Sequence, residues 1–292
     1  MSDATAQALG QTAEFTHQQK LDAIAEVFGQ EYADNFQDPV LFMPCVFMSP
    51  TVKQFYKREF NLISRTLFVE SVYRRRPTYN QSVLDDYSAV SSRKLADIQK
   101  LLTTQCDRLA HICRSNGVQL DASYMHPQQR VVPIIAGHAK TYIATLHKLD
   151  EVYQLTGTAL LNGVIDGNAR RECEMLCRKA VRAFSAMLRN EILKLYKESQ
   201  RMRKAMAGPD QELDKAESAH GQALAEFDAS VESERTTDPG AHVEPEDASQ
   251  IIDDLASQSN ATKGGGRRRK ADETGASTSA AQTPAGESVE AT

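Results

Sequence analysis

Gln128, Arg130 and Val132 stand at alternate positions of the stretch Gln128-Gln129-Arg130-Val131-Val132-Pro133-Ile134-Ile135. On a β-strand alternate residues share a face, so these three side chains would project together. Arginine and glutamine hydrogen-bond guanine and adenine edges, and valine can meet a thymine methyl. The row therefore has the chemistry to read bases in a major groove. Pro133 cannot donate to a strand ladder, which assigns its own set (Gln129, Val131, Pro133, Ile135) to outward-pointing backbone groups. The even set then pairs with a partner strand and faces the groove. The ordinary alternative is a surface strand of a small sheet with one exposed arginine.

A second set suits phosphate. Asn168, Arg170 and Arg171 fall in the first turn of a helix expected to start near Gly167, and Lys140 lies on the helix before it. Cations in a first turn oppose the helix dipole by roughly 0.3–1 kcal/mol each. A bound phosphate would meet free N–H groups and these arginines together. Alternatively Glu172 and Glu174 screen them.

No other chemistry presents itself. The sequence has no P-loop, no dinucleotide-binding glycine pattern, no G-x-S-x-G and no H-E-x-x-H, so neither an enzyme nor a cofactor is expected. Cys173 and Cys177 lie one helical turn apart, but without a paired Cys or His at a zinc spacing they read as core thiols, and no metal is expected. His126 and His138 bracket the strand as turn residues.

The strand follows a His126-Pro127 break and stops at Ala136-Gly137. A helical pattern then runs to Leu161, Asn162-Gly163 ends it, and Asp166 can cap the next helix. That helix grows more basic through Arg201-Met202-Arg203-Lys204 before Gly208-Pro209. Upstream, helices are expected over Gln18–Asn35, from the Ser49-Pro50 cap to just before Arg74-Arg75-Arg76-Pro77, and over Val83–Ser115. The strand has no evident partner in the chain, which would leave its N–H and C=O groups unpaired. A second copy of the same strand supplies the partner. Strand–helix–helix paired across a two-fold axis is the ribbon-helix-helix arrangement, and β-ribbons of this kind read DNA. A homodimer is therefore expected.

The net charge of −5 averages two unlike parts. Residues 208–292 hold 18 Asp and Glu against 7 Lys and Arg, a balance of −11, which leaves +6 on residues 1–207. Residues 124–207 alone hold 14 bases and 7 acids. Such asymmetry hints at nucleic-acid binding, although a solvated helix face gives the same signal. The region beyond Pro209 is too poor in core residues to offset chain entropy and is expected to be largely disordered. Deleting it should then leave the melting temperature nearly unchanged. Within it, Ile251, Ile252 and Leu255 suggest a short partner-binding helix, and residues 263–270 form a basic arm. No run of apolar residues is long enough to cross a membrane, and the opening residues lack the basic start of a secretory signal. Five cysteines, an odd count, suit free thiols in a reducing cytoplasm.

The pattern Tyr124-Met125-His126-Pro127, Val131-Val132-Pro133-Ile134, Leu149-Asp150-Glu151, Thr158-Ala159-Leu160-Leu161 and Gly163-Val164-Ile165 resembles the AcaB-like regulators of conjugative plasmids and integrating conjugative elements. The likeness covers about residues 49–204. It implies a dimeric ribbon-helix-helix transcription factor in a bacterial cytoplasm, an activator of transfer genes. The two helices here are much longer than a minimal ribbon-helix-helix core needs, and the helical N-terminal half is extra.

The expected fold is therefore mainly α. A disordered N-terminus (1–17) precedes a helical domain (18–207) that contains the ribbon-helix-helix-like segment 124–206. A disordered acidic tail (208–292) follows, free to meet other regulators or RNA polymerase. The expected function is sequence-specific binding of double-stranded DNA to regulate transcription, with no membrane partner. Two alternatives are a helical accessory protein of a conjugation apparatus without DNA affinity and an RNA-binding protein.

Overall fold

A computed structural model describes residues 15–76, 79–205 and 247–264, together with 218, 220–222, 224–226, 228–229 and 243. The elements are α1 (His17–Phe28), the single turn α2 (Gln30–Ala33), β1 (Leu41–Phe47), α3 (Pro50–Phe55), a π-helical turn (Tyr56–Phe60), α4 (Asn61–Arg74), α5 (Gln81–Ser115), β2 (Gln128–Ile134), α6 (Gly137–Leu161), α7 (Gly167–Ala205) and α8 (Ala248–Gly264).

Local chemistry sets most boundaries. Thr16 and Gln19 form a reciprocal capping box at the start of α1. The helix expected over Gln18–Asn35 stops at Phe28 because Gly29 takes φ 89°, and only one further turn follows. Ser49 accepts from the Val52 N–H at 3.3 Å with Pro50 in the first turn, as its sequence position implies. Asn80 caps α5, and Asp166 Oδ1 accepts from Ala169 N at 2.7 Å at the head of α7. Gly117 and Gly163 take φ 71° and 67°, the left-handed conformation in which helices commonly end.

The largest departure from expectation concerns the strand. β2 finds its partner within the same chain: it pairs antiparallel with β1, from Leu41 opposite Ile134 to Phe47 opposite Gln128. β1 is the apolar run interrupted by Pro44, a residue confined to edges in sheets. With β1 as its neighbour, β2 has no need of a second chain to satisfy its ladder, so the argument that led from an unpaired strand to a homodimer falls away.

α4 forms the middle of the core. From Leu62 to Val69 every residue is buried, including Ser64, Arg65 and Thr66. A helix covered on all sides needs no polar stripe. The π turn carries one extra residue per turn, which re-phases α3 against α4 so that Val52, Phe55, Tyr56 and Phe60 are all buried. Each of the last two long helices turns an apolar stripe inward: Tyr142, Ile143, Leu146, Leu149, Val152 and Tyr153 of α6, and Cys177, Ala180, Val181, Phe184, Leu188, Ile192 and Leu195 of α7, are buried, while Leu160, Cys173 and Leu176 at the stripe ends are half-buried.

Residues beyond 208 also join this body. α8 is the short helix suggested by Ile251, Ile252 and Leu255, but its partner is the chain itself. Ile252 and Ala248 are buried, and the buried Lys94 of α5 holds Asp253 at 2.6 Å and donates to the Ser249 carbonyl at 3.0 Å. Val243 and His220 are buried as well. The expectation of a tail free of the body fails for these residues. Residues 1–14 and the basic arm from Gly265 onward lie outside the described residues.

Candidate nucleic-acid interface

Two N–H groups at the end of β1 need acceptors, and Asp150 supplies them. Its buried carboxylate accepts from Met48 N at 2.6 Å and Ser49 N at 2.7 Å. One turn earlier on α6, His147 stacks on Phe47 with ring centroids 5.4 Å apart. These contacts fix the Phe47–Gln128 end of the ribbon on the middle of α6, while Ile134 leads into the start of that helix.

With the ribbon fixed, its two faces are decided by burial. Met43, Cys45 and Phe47 of β1 share a face with Val132, Arg130 and Gln128 of β2, and Cys45, Phe47 and Val132 are buried. This is the inward face. The even set was assigned to the groove from the position of Pro133, but Val132 is 0% exposed and cannot reach a base. A proline restricts the backbone edge it presents and does not select the face on which neighbouring side chains lie. Arg130, at the ribbon's margin, is half-exposed and pairs with Glu26 of α1 at 3.4 Å. In the orientation that satisfies both groups, the Gln128 amide oxygen accepts from Arg130 Nη2 at 2.7 Å and Nε at 3.0 Å. Both side chains are engaged at home.

The other face consists of Phe42, Pro44 and Val46 opposite Pro133, Val131 and Gln129; Pro133 is buried and Lys20 of α1 lies over the Phe42 ring, so its outward part is Pro44, Val46, Val131 and Gln129. Gln129 is its one polar side chain, and Val46 is 42% exposed. The sequence reading missed these residues because it did not recognise β1. The signal available was the apolar run around Pro44.

The phosphate set divides between two places. Asn168 and Arg171 are exposed in the first turn of α7. Arg170 Nε donates to Glu174 Oε1 at 2.6 Å, and the same oxygen accepts from Thr156 Oγ1 at 2.8 Å, so Glu174 holds this arginine as the alternative reading had it. Tyr124, just before β2, is close enough for Arg170 and Glu174 to act on its hydroxyl, whose pKa burial raises. The head of α7 therefore lies near the approach to Gln128. Lys140 is exposed at the start of α6. Twenty-odd helical residues separate it from the far end of that helix, about 30 Å. Lys140 and the α7 arginines do not form one site.

Cys173 Sγ donates to Gln105 Oε1 of α5 at 3.8 Å, with Cys177 buried and Cys173 half-buried. Burial pushes the Cys106 thiol on the facing helix up to about 12. No helix among the described residues is long and apolar enough to cross a membrane.

No family model and no curated protein matches the chain. Among solved structures it is similar to the crystal structure of selenomethionine-containing AcaB from uropathogenic E. coli, with a TM-score of 0.53 and 19% identity over 63% of this chain and 100% of that one. At that identity the likeness shows a shared fold. It agrees loosely with the resemblance to the AcaB-like regulators carried by residues 49–204, and the chain shares the architecture of that protein.

Proposed function

We propose that this protein is a non-enzymatic, sequence-specific DNA-binding regulator that inserts the outward face of the β1–β2 ribbon into a DNA groove. The observation that carries the reading is the ribbon itself: β2, paired antiparallel with β1, leads into two long helices in the region of the chain's positive excess. Gln129 supplies the base contact, Val131 and Val46 suit thymine methyls, and Arg171 and Asn168 hold phosphate. The resemblance to AcaB-like regulators supports transfer genes of a conjugative element as the targets and activation as the action. Two copies on a pseudo-palindromic site would place two ribbons in successive grooves, so a homodimer belongs to this proposal. A mobility-shift assay on the protein's own upstream DNA tests it. Retardation should weaken linearly in log salt, by about 0.9 log unit of affinity per phosphate contact for each log unit of salt. No retardation at low salt would overturn the proposal.

A second reading has its own support. Apart from Gln129 the outward face is apolar, with Pro44 exposed and Val46 42% exposed. A face of that kind fits a protein partner, as in an accessory component of a conjugation apparatus. Val46→Lys would weaken such a partner contact, whereas on DNA the added cation would raise non-specific affinity.

A further inference from the structure

α4 and α7 present arginines that the chain covers with its own acids. Asp228 Oδ2 meets Arg189 Nη2 of α7 at 2.7 Å. Glu226 lies near enough to Arg65 of α4 to act on its charge, and the buried His220 meets Thr66 Oγ1 at 3.0 Å, next to Arg65. The Arg189–Asp228 pair, like Lys94–Asp253, has its acid in the C-terminal region and its base in the body. The charge division of −11 against +6 has the same sense. α8, anchored through Ile252 and the Lys94–Asp253 pair, fastens the chain just beyond. The covered face also adjoins the ribbon: Arg65 Nε donates to the Val27 carbonyl at the end of α1, and Arg130 of β2 pairs with Glu26 one residue earlier.

Guanidinium groups recognise carboxylate and phosphate oxygens by the same charge-assisted hydrogen bonds. We infer that the segment carrying His220, Glu226 and Asp228 is an internal strap whose carboxylates occupy a phosphate-binding arginine face on α4 and α7, keeping the chain in a low-affinity state until duplex DNA displaces them. This rests on the reading of the chain as a DNA binder and adds its regulation. The strap competes by mass action: closed about nine-tenths of the time, it lowers the apparent affinity for duplex about tenfold. Glu226 and Asp228 are themselves exposed, so neutralising them disturbs no packing.

The test uses the full chain and a random-sequence 30-base-pair duplex at low salt, followed by fluorescence anisotropy. Glu226→Gln with Asp228→Asn should tighten binding by about tenfold, the gain expected when a closed fraction of that size is released. A control changes the net charge equally at exposed acids outside the strap, Asp107→Asn with Asp121→Asn. It should give much less than that gain. Equal gains in the two pairs would overturn the strap, since bulk charge would then explain both. A parent that binds the duplex while the strap variant gains nothing would also overturn it and leave the DNA-binding proposal standing. Absence of binding by every variant would overturn both. Hydrogen exchange supplies an independent arm: peptides spanning 218–229 in the parent should exchange faster on adding duplex. Unchanged or slower exchange there would show that DNA does not displace the strap.

Discussion

Glu59 sits where the π turn, α6 and α7 meet, with Oε2 accepting from the Tyr142 hydroxyl at 3.0 Å and from Ser185 Oγ. Burial pushes its carboxyl up to about 7, against the hydrogen bond from Ser185, the charge of Arg182 and the hydrogen bond from Tyr142. The folded state thus holds this proton more tightly than the unfolded chain does. The stability it contributes is fully present below about 4.5 and is lost as pH rises through about 7. Glu59→Gln removes the titration, so its melting temperature should match the parent's near pH 5 and exceed it at pH 8. Thermal melts followed by circular dichroism measure this. A less stable variant at pH 8 would mean that hydrogen bonds to the carboxylate outweigh its desolvation. Asp150 plays a different part, since its carboxylate is the acceptor for two backbone N–H groups, Met48 and Ser49. Asp150→Ala should cost roughly 2–4 kcal/mol in chemical denaturation, the range for leaving such groups buried and unpaired. The sequence marked Asp150 only as part of a family pattern. Its role depends on Met48 and Ser49, which are distant in the chain.

At the scale of elements, the long helices were legible because their signals are local. Ser49 and Asp166 cap, Asn-Gly pairs stop, and apolar residues recur at helical spacing. The ribbon was half legible. β2 carries its own β-branched signature, but its neighbour β1 lies a helical hairpin's length earlier and contains a proline. Pairing is non-local, and a shift of one residue exchanges the two faces of a strand. Without β1 the buried face could not be identified, and the base-reading row was placed on Gln128, Arg130 and Val132 when Gln129 points outward. The two assignments predict different mutants. If the outward face reads DNA, Gln129→Ala should cost about 1–3 kcal/mol on the cognate site and little on random duplex. Arg130→Ala, which releases Glu26, should cost less on the cognate site. The reverse order in a titration would return the reading role to Arg130. Arg171→Ala should weaken both duplexes alike and flatten the salt slope by about one unit, because it removes one phosphate contact.

At the scale of the molecule, composition marks the charge division, and the loose tail inferred from it fails for the described residues beyond 208. Residues 208–292 are polar and acidic enough to suggest a chain with nothing to bury. A few apolar side chains suffice to dock such a segment when a body offers a complementary surface, and α5 and α7 offer one. Val243, Ala248 and Ile252 are buried against it, and Lys94, itself buried, would lose its only carboxylate among the described salt bridges if Asp253 left. An unpaired buried ammonium is costly, and each lost large side chain forgoes about 1.5–3 kcal/mol. Deleting Gly208–Thr292 should therefore lower the melting temperature by several degrees, since about 1 kcal/mol corresponds to roughly 2–4 °C in a body of this size. Ile252→Ala in the full chain should move it in the same direction, because a cavity in the α8 contact costs about 2–5 kcal/mol. His220 adds a pH signature. Burial and the charge of Arg65 depress its imidazole pKa to about 4, so the packed form resists protonation while a released segment protonates near the usual 6.5. The contribution of His220 is present above about 6.5 and is lost as pH falls toward 4. The gap in melting temperature between full-length and truncated chains should narrow over that window, and a His220→Gln chain should keep more of its gap at pH 5. A gap that stays constant from pH 7 to pH 4.5 would show that His220 does not hold the C-terminal region to α4.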